Sequence, residues 1–215
     1  MGSDRNMYIH FLKRLIDIVL SLIGIIVLAI PMIIVAIIIK IDSPGPALFK
    51  QKRITKGKKS FTILKYRSMP ISVPKDVPTH QLQNAEDLLS PVQKAIRKYS
   101  IDEIPQMFNI LIGDMSIIGP RPCLPNQVDL IEERDKYGAN DILPGLTGWA
   151  QINGRDELEI SVKAKLDGEY VEKMNFAMDC KCFFGTIVSV LKKDGVVEGG
   201  TGEMKKNEGK EEVEA

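Results

Sequence analysis

The chain has 215 residues, 27% of them charged, and a formal net charge of +1. That length suits one domain with a core able to stand without staples, and the near-neutral balance excludes a general nucleic-acid binder, whose footprint is strongly basic. Cys123, Cys180 and Cys182, with only His10 and His80 for company, give little support for a metal site and read as thiols of a reducing compartment.

The first element is an apolar run. Residues 18–39 carry no charge and are interrupted only by Ser21, Gly24 and Pro31. As one helix the run is about 33 Å long at 1.5 Å per residue, enough to cross a bilayer core. It is too long for a cleavable signal peptide, and no small-residue cleavage site follows it. Pro31 sits near its middle. Having no N–H, it deprives the carbonyl of Val27 of a partner and bends or breaks the helix. Both flanks are basic: Lys13 and Arg14 before the run, Lys40 and the cluster Lys50, Lys52, Arg53, Lys56, Lys58 and Lys59 after it. A spanning helix puts one of those flanks outside, against the positive-inside tendency, whereas a helix broken at Pro31 that returns on one face keeps both inside. From the residues alone the kinked span and the re-entrant helix both stay open, and either one associates the chain with a membrane.

Asp42-Ser43-Pro44-Gly45-Pro46 stops the helix and turns the chain. The stretch ALFKQKRITKGKKSFTILKYRSM then predicts two short strands around a turn at residues 55–58 that contains Gly57, with the basic cluster at the hairpin tip. Such a cluster is a solvated face or, beside a bilayer, a contact for anionic lipid. Residues 70–90 hold three prolines and little periodicity and are expected to be mostly loop. Ser90-Pro91 reads as an N-cap and first helical position. A second helix is expected over residues 102–112, ending at Gly113. Residues 119–125, GPRPCLP, form a rigid loop, residues 126–140 a charged helix, and residues 144–155, PGLTGWAQINGR, a glycine-punctuated loop. Helices follow near 160–173 and 179–192. On the last, Phe184, Ile187, Val188 and Leu191 fall at i, i+3, i+4 and i+7, a stripe expected to pack in the core, with the lipid surface as its alternative use. From Gly195 onward glycine, lysine and glutamate predict a disordered tail.

Asp102 and Glu103, in RKYSIDEIPQMFN, carry the chemistry. Paired acids at a helix start are commonplace as caps: Ser100 with Glu103 makes one capping box, and Asp102 itself is the preferred cap because Pro105 is tolerated only in a first turn. The surroundings point further. A helix start favours both an ionised carboxylate and phosphate oxygens; Arg97 lies just upstream, and Arg121 sits in a loop stiffened by Pro120 and Pro122. Arginine forks suit phosphate. Carboxylates and arginines without catalytic histidines indicate phosphate chemistry with an oxygen-ligated Mg²⁺, one carboxylate holding the metal while the other attacks phosphorus. Gly57-Lys58-Lys59-Ser60 resembles the end of a P-loop, but Lys52 stands where that motif needs its first glycine. A non-catalytic, membrane-anchored basic scaffold that binds anionic lipid is the alternative from another class.

Four stretches in order, FKQKRITKGKKSFTILKYRSM, SIDEIPQMFNILIGDMSIIGPRP, PGLTGWAQINGR and LDGEYVEKMNFAMD, together resemble the bacterial sugar transferases. These are monotopic phosphoglycosyl transferases acting on polyprenol phosphate, and the likeness to their small single-domain form covers about residues 11–191. The resemblance implies transfer of a sugar 1-phosphate from a UDP-sugar to undecaprenyl phosphate with release of UMP, on the cytoplasmic face of the bacterial inner membrane. It implies Asp102 as the nucleophile that carries a covalent phosphosugar, Glu103 as the Mg²⁺ ligand, and Lys65 and Asp167 as further catalytic residues. Arg97 and Arg121 match phosphate-contacting arginines, and Arg155 a residue associated with the nucleotide. The implied fold is α/β and mostly helical: a re-entrant helix–break–helix turning at Pro31, a small β-hairpin, and amphipathic helices at the membrane surface around a compact catalytic domain. Residues 1–42 would be the membrane segment, 43–194 the cytoplasmic catalytic domain and 195–215 a polar tail. Two positions depart from the pattern: Ile30 replaces a frequent serine before the helix-breaking proline, and Leu143 replaces a frequent basic residue before Pro144.

Overall fold

A computed structural model describes residues 7–73, 88–154 and 158–192 of the chain. A π-helical turn, Tyr8–Leu12, runs directly into α1, Lys13–Asp42. The helix is long and apolar enough to cross a membrane, with a mean hydropathy of 3.3 over its most apolar window. It passes through Pro31 as one element, where a helix–break–helix was expected. A proline removes one donor from the ladder, and the remaining turns of a 30-residue helix close on either side of it. The Tyr66 hydroxyl donates to the carbonyl of Met32, the residue after the proline, at 2.7 Å.

One face of α1 lies on the rest of the protein along most of its length. Near its start, Arg14 donates to the carbonyls of Ile110 and Leu111 at 2.6 and 2.8 Å, and buried Asp17 accepts from Ser116 Oγ and the Ile117 N–H. Near its end, Ile39 is buried with Tyr66 and Ile96, and Met32, Val35 and Ala36 pack around them. The opposite face leaves Ile23, Ile26, Val27, Ile30, Ile33 and Ile37 exposed.

The expected hairpin is present. β1, Leu48–Thr55, pairs antiparallel with β2, Lys59–Tyr66, across a 3-10 turn at Lys56–Lys58, and Gly57 takes the left-handed φ of +67° that the turn needs. Along β2 the inward positions alternate as the pleat requires: Phe61 and Ile63 pack on Ile110 and Met115, and Lys65 ends the same row. The edge of β2 is closed by a side chain, since Asn109 accepts from the Leu64 N–H at 2.9 Å and donates to the Thr62 carbonyl at 2.8 Å.

α2, Pro91–Lys98, starts with the expected cap, and Ser90 and Gln93 form a full capping box. A single 3-10 turn, Ile101–Glu103, then leads through Pro105 into α3, Gln106–Ile112, which stops at left-handed Gly113. Neither proposed cap of this helix is made: Ser100 is left-handed at φ +53° with no side-chain capping bond, and Asp102 lies inside the 3-10 turn. α4 is Val128–Asp135, α5 Trp149–Ile152, α6 Ile160–Lys173 and α7 Phe176–Lys192.

Two short strands, β3 (Ser116–Ile118) and β4 (Gly145–Thr147), pair in parallel. β4 and α5 both fall in the stretch expected to be loop. The strand is glycine-bounded for a steric reason: a Cβ on Gly145 would lie 2.1 Å from the backbone nitrogen of Gly119. The main core gathers Ile118, Tyr170, Met174, Met178 and Cys182 between β3, α6 and α7. The apolar stripe of α7 does not join it. Phe184, Ile187 and Val188 are exposed, because Met178 and Cys182 already fill the inward face; the side chain of Leu191 lies outside the described residues, as do residues 195–215. All three cysteines are free thiols.

Candidate active site

The turn that carries Asp102 and Glu103 is confined from both sides. The chain leaves α2 at Tyr99, reverses at Ser100, makes one 3-10 turn and meets Pro105. A non-glycine residue in the left-handed region costs about 1–3 kcal/mol, and such strain collects at functional sites. The turn also rests on α1, since Ile101 and Ile104 pack against the cluster of Ile39, Tyr66 and Ile96.

Three of the expected residues converge here. Lys65 Nζ donates to Glu103 Oε1 at 2.8 Å, and Arg121 Nη2 reaches the same oxygen at 2.7 Å. Lys65 is delivered by the inward row of β2, which Asn109 pins to α3. Asp102 is buried, and Ser68 Oγ lies 3.5 Å from its Oδ2. Arg97 acts on Asp102 as a nearby positive charge together with Lys65 and Arg121.

The two carboxyls differ in acidity. Burial, reinforced by the neighbouring Glu103 charge, pushes Asp102 up to about 6 against the pull of Lys65, Arg97 and Arg121. Burial also acts to raise Glu103, but the charges and hydrogen bonds of Arg121 and Lys65 outweigh it and hold that carboxyl well below the usual range. One acid is thus firmly ionised and the other titrates near neutrality.

Among the described residues no three His, Cys, Asp or Glu side chains gather into a protein-only metal cage. Mg²⁺ commonly binds through one or two carboxylates completed by substrate phosphates and water. Glu103, the residue expected to hold Mg²⁺, supplies one such carboxylate, and its Oε1 already accepts from Lys65 and Arg121.

Asp167 does not join the cluster directly. It is buried on α6 and paired with Arg134, which was not foreseen. Arg134 in turn donates to the carbonyl of Arg121. Arg155 lies outside the described residues. Sequence reasoning also missed Asn109 and Arg67. The Arg67 guanidinium is buried against the end of α1, donating to the carbonyls of Pro44 and Ser43 at 2.6 and 2.7 Å. A mid-helix asparagine among apolar residues and an arginine inside KYRSM were the available signals.

Comparison with known proteins gives the family to which the chain belongs. The family described as bacterial sugar transferase matches residues 8–193. The chain is 36% identical over 189 residues to UDP-N-acetylgalactosamine-undecaprenyl-phosphate N-acetylgalactosaminephosphotransferase of Aeromonas hydrophila, covering 84% of this chain and 44% of that protein. It is 34% identical over 185 residues to UDP-glucose:undecaprenyl-phosphate glucose-1-phosphate transferase of Escherichia coli (strain K12), covering 83% and 40%. To the uncharacterized sugar transferase EpsL of Bacillus subtilis (strain 168) it is 35% identical over 185 residues, covering 86% and 90%. The chain therefore spans less than half of the first two relatives and nearly all of the third. With a family match over most of its length and a relative of its own size, the chain belongs to the bacterial sugar transferase family.

Proposed function

We propose that this protein transfers a sugar 1-phosphate from a UDP-sugar to undecaprenyl phosphate, releasing UMP, through a phosphosugar ester on Asp102. The observation that carries the reading is the turn holding Asp102 beside a Glu103 that is gripped by Lys65 and Arg121. The names of two of these relatives support the substrate classes: they specify N-acetylgalactosamine and glucose transferases that use undecaprenyl phosphate.

In the first half-reaction an Asp102 carboxylate oxygen attacks the sugar-bearing phosphorus. The bond from that phosphorus to the bridging oxygen breaks, and UMP leaves with the bridging oxygen and its electron pair. In the second, an oxygen of the lipid phosphate attacks the same phosphorus. The bond to Asp102 breaks and the carboxylate is restored. Lys65, Arg97 and Arg121 offset the negative charge of the phosphate oxygens, and Arg155 is assigned to the nucleotide. Mg²⁺, held by Glu103 with substrate phosphates, would further neutralise that charge.

The same reading places the protein on the cytoplasmic face of the bacterial inner membrane, with α1 bending at Pro31 so that it enters and leaves on one side. Its support is the contact pattern of α1: both the Lys13–Asp17 end and the Met32–Ile39 end rest on the same folded body, while the outer face is apolar. A helix spanning the bilayer would separate those ends. An active site resting on α1 then meets the lipid phosphate at headgroup depth.

The test uses purified full chain with a panel of UDP-sugars, undecaprenyl phosphate and Mg²⁺. UMP release is expected with at least one donor, and Asp102→Asn should reduce it to background while the fold is kept. Enzyme quenched with labelled UDP-sugar alone should carry the phosphosugar on Asp102. Normal turnover by the Asn variant would overturn the assignment, and absence of the adduct would favour direct attack by the lipid phosphate.

A further inference from the structure

Beneath the arginine loop lies an ion pair that the proposed reaction does not use. Arg134 Nη2 is 2.7 Å from Asp167 Oδ2, and the two side chains are 4% and 1% exposed. Arg134 Nε donates to the same oxygen at 2.8 Å. A buried pair of this kind gives little net stability, since desolvating two charges offsets most of their attraction, and apolar side chains of similar volume often serve as well. Its geometry suggests another use. The remaining arm of the fork, Arg134 Nη1, donates to the backbone carbonyl of Arg121 at 3.0 Å.

That carbonyl belongs to a loop anchored through its oxygens, because Pro120 and Pro122 have no N–H to offer. Gly145 N–H donates to Pro120 O at 2.8 Å and Ile54 N–H to Cys123 O at 3.0 Å. Arg53 Nη1 takes Pro122 O at 3.1 Å. The Arg121 carbonyl completes the series, and the side chain leaving from that residue is the one that reaches Glu103 Oε1 at 2.7 Å. An unbroken line of contacts therefore runs from Asp167 through Arg134 and the Arg121 backbone to Glu103.

We propose that Asp167 and Arg134 are positioning residues. Asp167 orients the Arg134 fork, Arg134 pins the Arg121 carbonyl, and the pinned backbone sets the Arg121 guanidinium where the donor's phosphates are received. The inference rests on the functional reading above and gives Asp167 a role at one remove from the reacting atoms. Lysine cannot substitute for Arg134, because a single ammonium lacks the fork that serves a carboxylate and a carbonyl together.

The experiment measures UDP affinity of the full chain in lipid nanodiscs with Mg²⁺, using UDP as the probe. Arg134→Met/Asp167→Leu removes both charges together and leaves no uncompensated buried ion. It should keep a near-native thermal midpoint yet bind UDP about tenfold or more weakly, the scale seen when partners that orient a ligand-contacting side chain are lost. Arg134→Lys should show a similar loss and guards against misfolding of the double variant. Adding Arg121→Ala to the double variant should weaken binding no further than Arg121→Ala alone, as expected when one residue acts through another. Multiplying losses, or native affinity in the double or Lys variant while wild type binds UDP, would overturn the positioning role alone. A wild-type chain that fails to bind UDP would overturn the functional reading and this inference together.

Discussion

At the scale of single residues, the decisive contrast is between Asp102 and Glu103. Asp102, raised to about 6 first by burial and then by Glu103, is protonated below that pH and cannot attack. The single-turnover rate of phosphosugar ester formation should therefore climb as pH rises through about 6 and level off above it; a flat profile from pH 5 to 8 in rapid-quench measurements would contradict the assignment. The same shift has a cost in stability. A carboxyl whose folded pKa exceeds its unfolded value opposes folding once it is ionised, and the penalty is fully present above the folded pKa. Asp102→Asn should accordingly melt at the same or a higher temperature than wild type at pH 8, although it is inactive. Glu103 behaves oppositely. Held low by Arg121 and Lys65 against its burial, it contributes stability above the usual carboxylate range and loses it in acid. Asp102, Glu103, Arg97 and Arg121 were legible in the sequence because they fall in short, proline-punctuated stretches, while Lys65 followed only from the resemblance. The Arg134–Asp167 pair was not, since 33 positions separate its members and only the fold brings them to 2.8 Å.

At the scale of elements, local signals succeeded where a strong rule of backbone chemistry applied. Ser90-Pro91 makes the cap it advertises, and Ser90→Ala should lower stability by about 1 kcal/mol, read as a fall in thermal midpoint. The hairpin was legible from its alternation and Gly57. β4 was not, because three residues give no period to detect and glycine normally signals loop. Its glycine answers to a neighbour instead, Gly119 on the crossing chain. Gly145→Ala forces that crossing apart and should abolish both folding cooperativity, seen by calorimetry, and UDP binding. The α7 stripe was read correctly as amphipathic but assigned first to the core; periodicity reports a face and leaves open what covers it.

At the scale of the whole molecule, two exposed apolar faces stand out among the described residues. One is the outer face of α1, and the other is the Phe183, Phe184, Ile187 and Val188 surface of α7. They are joined near the chain's start, where the Tyr8 ring packs edge-on against Phe176 and the Tyr8 hydroxyl, Lys13 and the Tyr170 hydroxyl all converge on Asp179 at 2.6 Å. Phe184→Glu/Ile187→Glu should weaken vesicle flotation while leaving the circular-dichroism spectrum unchanged. Cysteines placed at residue 5 and in the tail of intact cells should both resist a membrane-impermeant label; labelling of one alone would restore the span.

The end of β2 has a consequence of its own. Lys65 grips Glu103 while the next residue, Tyr66, is tied to the Met32 carbonyl in the apolar helix. Successive residues on a strand point to opposite faces, so one peptide link separates the tie to α1 from the grip on Glu103. A shift of α1 is therefore expected to reach Lys65 directly. Reconstitution in bilayers of graded thickness should tune the rate, and Tyr66→Phe should flatten that response.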